Sequence, residues 1–129
     1  MLMMGVQEAR HKIDAFLEYP GTYFITSAAD KGSYGCALLI NKKVPYGTND
    51  SVEIFISREH ITVSLAEPRK LVVNIDAPYF SCVVFVFHAP CDDSQKVWFV
   101  EAAKTVKQFS VGKPSFLFLM PIHSYMPRC

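Results

Sequence analysis

A mixed α/β (α+β) chain, with a mixed sheet flanked by helices, is what the sequence predicts, on three observations. Ser81–Pro90, SCVVFVFHAP, holds an unbroken Val/Phe run that ends in an imidazole. Several other short runs rich in Val, Ile, Leu and Phe are bounded by Pro, Gly, Asn and Asp. Two longer segments carry apolar residues three and four apart, as helices do. An apolar run without alternation fits a strand buried on both faces, so Ser81–His88 is placed at the centre of the sheet. His88 then stands where that strand ends, the edge at which α/β sheets bind ligands. The competing reading is a core histidine satisfied by a backbone carbonyl.

The elements follow in order. Ala9–Glu18 is expected to be a helix with Ile13, Phe16 and Leu17 on one face, closed by Pro20-Gly21. Thr22–Ser27 and Tyr34–Asn41 have strand propensity, and Val44–Asp50 reads as loop. Val52–Ser57 and His60–Leu65 alternate apolar and polar residues, as half-buried strands do. Glu67-Pro68 interrupts before the strand Arg69–Asp76. The short link Ala77–Phe80 makes that strand an antiparallel partner of Ser81–His88. After Ala89-Pro90-Cys91, Asp92 is an N-cap candidate with Gln95 at capping-box spacing. The helix it opens would pack through Val97, Trp98, Val100, Ala102, Ala103 and Val106, and Gly112 closes it. Ser115–Met120, SFLFLM, is expected to be a last buried strand, and 121–129 an irregular tail.

A chain of 129 residues is expected to form a single domain, and 50% hydrophobic content supplies its core. The formal net charge of +1 gives no broad basic field for nonspecific nucleic-acid binding. It leaves room for a nucleic acid held by a metal ion and a few local contacts. Cys36, Cys82, Cys91 and Cys129 fit neither a zinc spacing nor a dense disulfide framework, which suits a reduced, intracellular setting, nuclear or cytoplasmic. MLMMG is too short for a signal core and reads as the tail of a strand. No run approaches the roughly 20 apolar residues of a membrane span.

Three ordered segments carry a family resemblance. Gly5-Val6-Gln7-Glu8-Ala9-Arg10 resembles the strand-end Gln-Glu motif of the endonuclease/exonuclease/phosphatase family. Tyr34-Gly35-Cys36-Ala37-Leu38-Leu39-Ile40 is similar to that family's Gly-rich strand. Glu67–Val73, followed by Cys82–Pro90 with its His-Ala-Pro ending, looks like its paired central strands. The nearest flavour is the nuclease domain of non-LTR retroelements, and the resemblance runs from Gly5 to about Leu119.

The resemblance implies a DNase I-like four-layer α/β sandwich and Mg2+-dependent hydrolysis of phosphodiesters, with DNA the expected substrate. In it Glu8 would bind Mg2+, a hard cation that takes a few carboxylate oxygens and keeps its waters. His88 would be catalytic, in proton transfer or phosphate contact. Arg69 and Tyr34, with Ser33, would line the substrate groove. Glu8 reads equally as a helix-N-terminal carboxylate, whereas a sheet-edge salt bridge is the commoner role for an Arg placed like Arg69 and packing the commoner role for a Tyr placed like Tyr34. The family's first strand has no counterpart before LMMGV. Its Gly-Asp-x-Asn strand end is replaced after Leu119 by Met120-Pro121-Ile122-His123, and its Ser-Asp-His motif is absent. The expectation is therefore a partial domain over 1–129, weak or inactive alone. Two alternatives stand beside it. One is a noncatalytic β-rich interaction module whose open sheet edges invite self-association; the other is a phosphatase of the same family.

Overall fold

The computed structural model describes residues 1–7, 13–28, 35–90 and 95–119. Two four-stranded sheets stack face to face, and one helix covers the outer face of the second. The first sheet has the order β1-β4-β3-β2 and is antiparallel throughout. Its strands are β1 Met3–Gln7, β2 Ala15–Tyr19, β3 Thr22–Thr26 and β4 Cys36–Asn41. A small ribbon follows, β5 Gly47–Asn49 with β6 Val52–Ile54. The second sheet comprises β7 Ile61–Glu67, β8 Lys70–Ala77, β9 Phe80–Phe87 and, beyond helix α1 Gln95–Phe109, β10 Ser115–Leu119. Its order is β10-β9-β8-β7, with β10 parallel to β9 and the other pairs antiparallel.

The Val/Phe run is β9, and its side chains divide between two cores. Cys82, Val84 and Val86 point between the sheets, against Ile25, Leu38 and Ile40 of the first sheet. Val83, Phe85 and Phe87 point the other way, under Trp98, Ala102, Val106 and Phe109 of α1. A strand with apolar partners on both sides has no reason to alternate, which is why the run is continuous. Phe87 meets the Trp98 ring edge-on at 5.8 Å, fixing the start of the helix over the end of the strand.

The β8–β9 hairpin turns at Pro78-Tyr79. Tyr79 takes φ 62°, a left-handed conformation costly for a residue with a Cβ. Tyr46 secures this turn by donating its hydroxyl to Pro78 O at 2.8 Å and stacking on Phe80 with centroids 5.3 Å apart.

Several expectations are corrected. The helix expected over Ala9–Glu18 is not one: residues 8–12 lie outside those described, and Ala15–Tyr19 is a strand paired with β3. Pro20-Gly21 is the bend of a hairpin, where Gly21 N–H donates to Tyr19 O at 2.8 Å. Ile13 and Leu17 are exposed, and only Phe16 of the supposed apolar face turns inward, edge-on to Tyr23. Cross-strand pairing prevailed over a helical spacing carried by only three apolar residues. The loop expected at Val44–Asp50 contains β5, and the strand expected over Val52–Ser57 keeps only Val52–Ile54.

Helix α1 packs through Trp98, Ala102, Val106 and Phe109, while Val97, Val100 and Ala103 face outward. Both stripes have helical spacing; the one carrying the large aromatic rings was buried. Its N-cap candidate Asp92 lies outside the described residues. Gly112, at φ 72°, supplies the left-handed turn after the helix. The strand SFLFL is not buried: β10 is an edge, with Phe116, Leu117 and Leu119 exposed.

The outer face of the first sheet carries Met4, Leu39, Phe24 and Leu17 in one cross-strand row. No helix of the described residues is long and apolar enough to cross a membrane. Because Phe85 is wholly buried beneath the helix, Phe85→Ala should cost about 3–5 kcal/mol of unfolding free energy, read by urea denaturation.

Candidate functional site at the end of the sandwich

The strand ends that matter meet at one end of the stacked sheets. β1 ends at Gln7, which pairs with Cys36 at the start of β4. Cys36 Sγ lies 3.7 Å from Pro68 O, in the turn between β7 and β8. Arg69, the next residue of that turn, faces His88 at the end of β9. Thr26 and Ser27, at the end of β3, complete this rim.

Arg69 and His88 are locked to each other by main chain and side chain together. His88 N–H donates to Arg69 O at 2.9 Å. Arg69 Nη1 donates to His88 O at 3.2 Å and lies 3.2 Å from His88 Nδ1. A guanidinium only donates, so Nδ1 accepts and the proton of the neutral ring sits on Nε2. His88 is 4% exposed and Arg69 is half-buried. The arrangement gives a neutral histidine in a fixed tautomer beside a permanent cation. Chemically, the Nε2–H of that ring can donate a hydrogen bond, and the guanidinium adds planar donors beside it.

Ser27 and Cys36 are buried beside this pair. Cys36 N–H donates to the Ser27 hydroxyl at 3.0 Å, and Ser27 N–H donates to Cys36 O at 2.9 Å. Burial pushes the Cys36 thiol up to about 12, against smaller opposing effects from Ser27, Arg69 and His88. Cys82, inside the sheet stack, is pushed up to about 11, also by burial. Both thiols are therefore protonated at neutral pH and behave as small apolar groups, as their place in strand-like runs suggested.

The structure brings together His88 and Arg69 of the expected site residues. Glu8 and Tyr34, with Ser33, lie outside the described residues; the strands adjoining them in sequence, β1 and β4, end at the same rim. No group of three or more His, Cys, Asp or Glu side chains that could hold a metal ion occurs among the described residues. Glu8 remains the only residue assigned to Mg2+, and only by resemblance. Sequence reasoning missed the contact between Arg69 and His88, and it missed Ser27 as a partner of Cys36. Polar residues at the ends of the TYFITS and Tyr34–Asn41 strands were the available signal. No family model matches the chain, and searches of curated proteins and of solved structures return no match.

Two predictions follow from this geometry. At pH 7, 15N NMR of the imidazoles should show His88 with a pyridine-like Nδ1 and a protonated Nε2. Arg69→Met should allow both tautomers to appear. For the thiols, the unfolded chain releases the Cys36 proton near the ordinary value of 9.0, whereas the folded chain holds it to about 12. Its stabilising contribution is thus complete below about pH 9 and is lost as pH rises through about 12. The stability gap between wild type and Cys36→Ala, measured by denaturant titration, should narrow over that interval.

Proposed function

We propose that this chain is part of a Mg2+-dependent phosphodiesterase of the endonuclease/exonuclease/phosphatase type, with a DNA phosphodiester as its substrate. The observation that carries the reading is the convergence at one rim of Gln7, Cys36, Arg69 and His88. These residues come from, or adjoin, the separate segments that resemble the family. Two stacked sheets with α1 on the outside of one are compatible with part of a DNase I-like α/β sandwich.

Each role follows from ordinary chemistry. A phosphodiester is anionic and resists nucleophiles, so a metal ion that neutralises its oxygens and stabilises the leaving oxyanion supplies the main acceleration. Glu8, which follows β1 in sequence, is the residue to hold that ion. Arg69 offers a guanidinium, whose planar donors suit a phosphate. His88, with Nε2 protonated, would donate a hydrogen bond to a phosphoryl oxygen. Tyr34, just before β4 in sequence, would contact the nucleotide. The stretch after Phe118-Leu119, Met120-Pro121-Ile122-His123, does not match the family's Gly-Asp-x-Asn strand end, so the reading is of a chain weak or inactive alone. Against catalysis stands the deep burial of His88, which suits the noncatalytic interaction module; the same experiment separates the two.

Nicking of supercoiled DNA and thermal melting, each with and without millimolar Mg2+, provide the test. The phosphodiesterase reading expects a rise in Tm with Mg2+ that Glu8→Ala removes. It also expects slow Mg2+-dependent nicking that His88→Ala abolishes. A folded protein whose Tm ignores Mg2+, and which leaves DNA intact at every protein concentration tried, would sink it in favour of the interaction module.

A further inference from the structure

The edges of the two sheets are not equally defended. β2 carries Glu18, tied to Lys42 Nζ at 2.6 Å, and β7 is broken by a register shift between Val63 and Leu65 and ends in Glu67. Charges and bulges of this kind discourage a foreign strand from pairing. β10, SFLFL, has no charge, no proline and no irregularity, and the only strand hydrogen-bonded to it among the described residues is β9. Phe116 is 44% exposed and Leu117 52% exposed.

The phase of the β9–β10 ladder decides what such an edge can accept. Val83 N–H donates to Pro114 O at 3.0 Å, and Val83 is the register partner of Ser115. In a parallel ladder this places the main-chain groups of 114, 116 and 118 toward β9. Those of Ser115, Leu117 and Leu119 then point away from the sheet. The outward set is symmetric about Leu117. An antiparallel copy of the same strand, centred there, pairs Leu117 with Leu117, and Ser115 with Leu119 in both directions. Every outward N–H and C=O of β10 is then satisfied. On the inner face Phe116 meets Phe118 of the copy, and on the helix side the two Leu117 side chains meet.

β1 lies on the same side of the sandwich. A Cβ added to Gly5 would fall 2.5 Å from Phe118 Cγ, so the middle of β1 sits directly against β10. A two-fold axis perpendicular to the second sheet at Leu117 therefore also turns the β1 edges of the two copies toward each other. An isologous contact of this kind closes on itself and uses up the edge it employs.

We infer that the chain forms a two-fold dimer by antiparallel pairing of β10 with β10 of a second copy, centred on Leu117. The dimer stands independently of the phosphodiesterase reading.

Sedimentation equilibrium of the full chain under reducing conditions across the micromolar range tests the dimer. Leu117→Pro removes an outward N–H while leaving the β9 ladder its bonds, and should weaken the dimer about tenfold or more with unchanged circular dichroism. Leu117→Lys places like charges opposite each other on the axis and should do the same. Phe24→Glu, on the outer face of the first sheet, should leave the dimer intact. A wild-type chain that stays monomeric throughout would overturn the inference. So would a dimer that survives both Leu117 substitutions, or one dispersed by Phe24→Glu alone.

Discussion

The burial of β9 on both faces is the constraint on which the rest depends. One side of this strand needs a second sheet and the other needs a helix, because Val, Phe and Cys side chains on either side lose stability if left in water. The first sheet answers the first demand with Tyr23, Ile25, Leu38 and Ile40, and α1 answers the second with Trp98, Ala102, Val106 and Phe109. A strand so enclosed is held rigidly, and the residue at its end inherits that rigidity. His88 is such a residue. Its position is set by the packing beneath Cys82–Phe87 rather than by its own contacts alone.

What surrounds His88 is a matter of electrostatics at a strand end. The turn between β7 and β8 delivers Arg69 to the imidazole: His88 N–H donates to the Arg69 carbonyl, and the Arg69 guanidinium donates back to the His88 carbonyl. A cation at Nδ1 distance selects one tautomer, since a guanidinium has no acceptor to offer. The thiol of Cys36, close by, is kept neutral by burial. Among the described residues the rim thus holds the Arg69 guanidinium and a histidine whose Nδ1 faces it. The planar donors of that guanidinium suit a phosphate, and they are the chemical basis on which a phosphodiester is proposed as its ligand.

The two sides of the sandwich differ in how they end. Where β2 and β7 close the sheets, β2 carries the Glu18 carboxylate and β7 has a register shift in its ladder. Where β1 and β10 close them, the strands are regular and neutral, and Gly5 lets them approach closely. An apolar strand with an unprotected edge is a template for another strand. The two least protected edges therefore lie on one side of the sandwich, where the dimer is proposed.

The sequence by itself determined the elements whose signals are local and strong. The Val/Phe run, the short Ala77–Phe80 link, the glycine after the helix and the position of His88 at a strand end were all legible, because composition and turn chemistry act within a few residues. Only the tertiary structure decided the rest. Ala15–Tyr19 became a strand because β3 was there to pair with it, and three apolar residues at helical spacing could not outweigh a ladder. The helix buried its aromatic stripe rather than its valine stripe because Phe85 and Phe87 offered rings to meet it. SFLFL reads as a buried strand by composition, yet it lies at an edge because its exposure depends on which strands stand beside it. The Ala77–Phe80 link already sets Arg69 across from His88, but which side-chain atoms meet there, Nη1 with Nδ1, was decided by the packed strands.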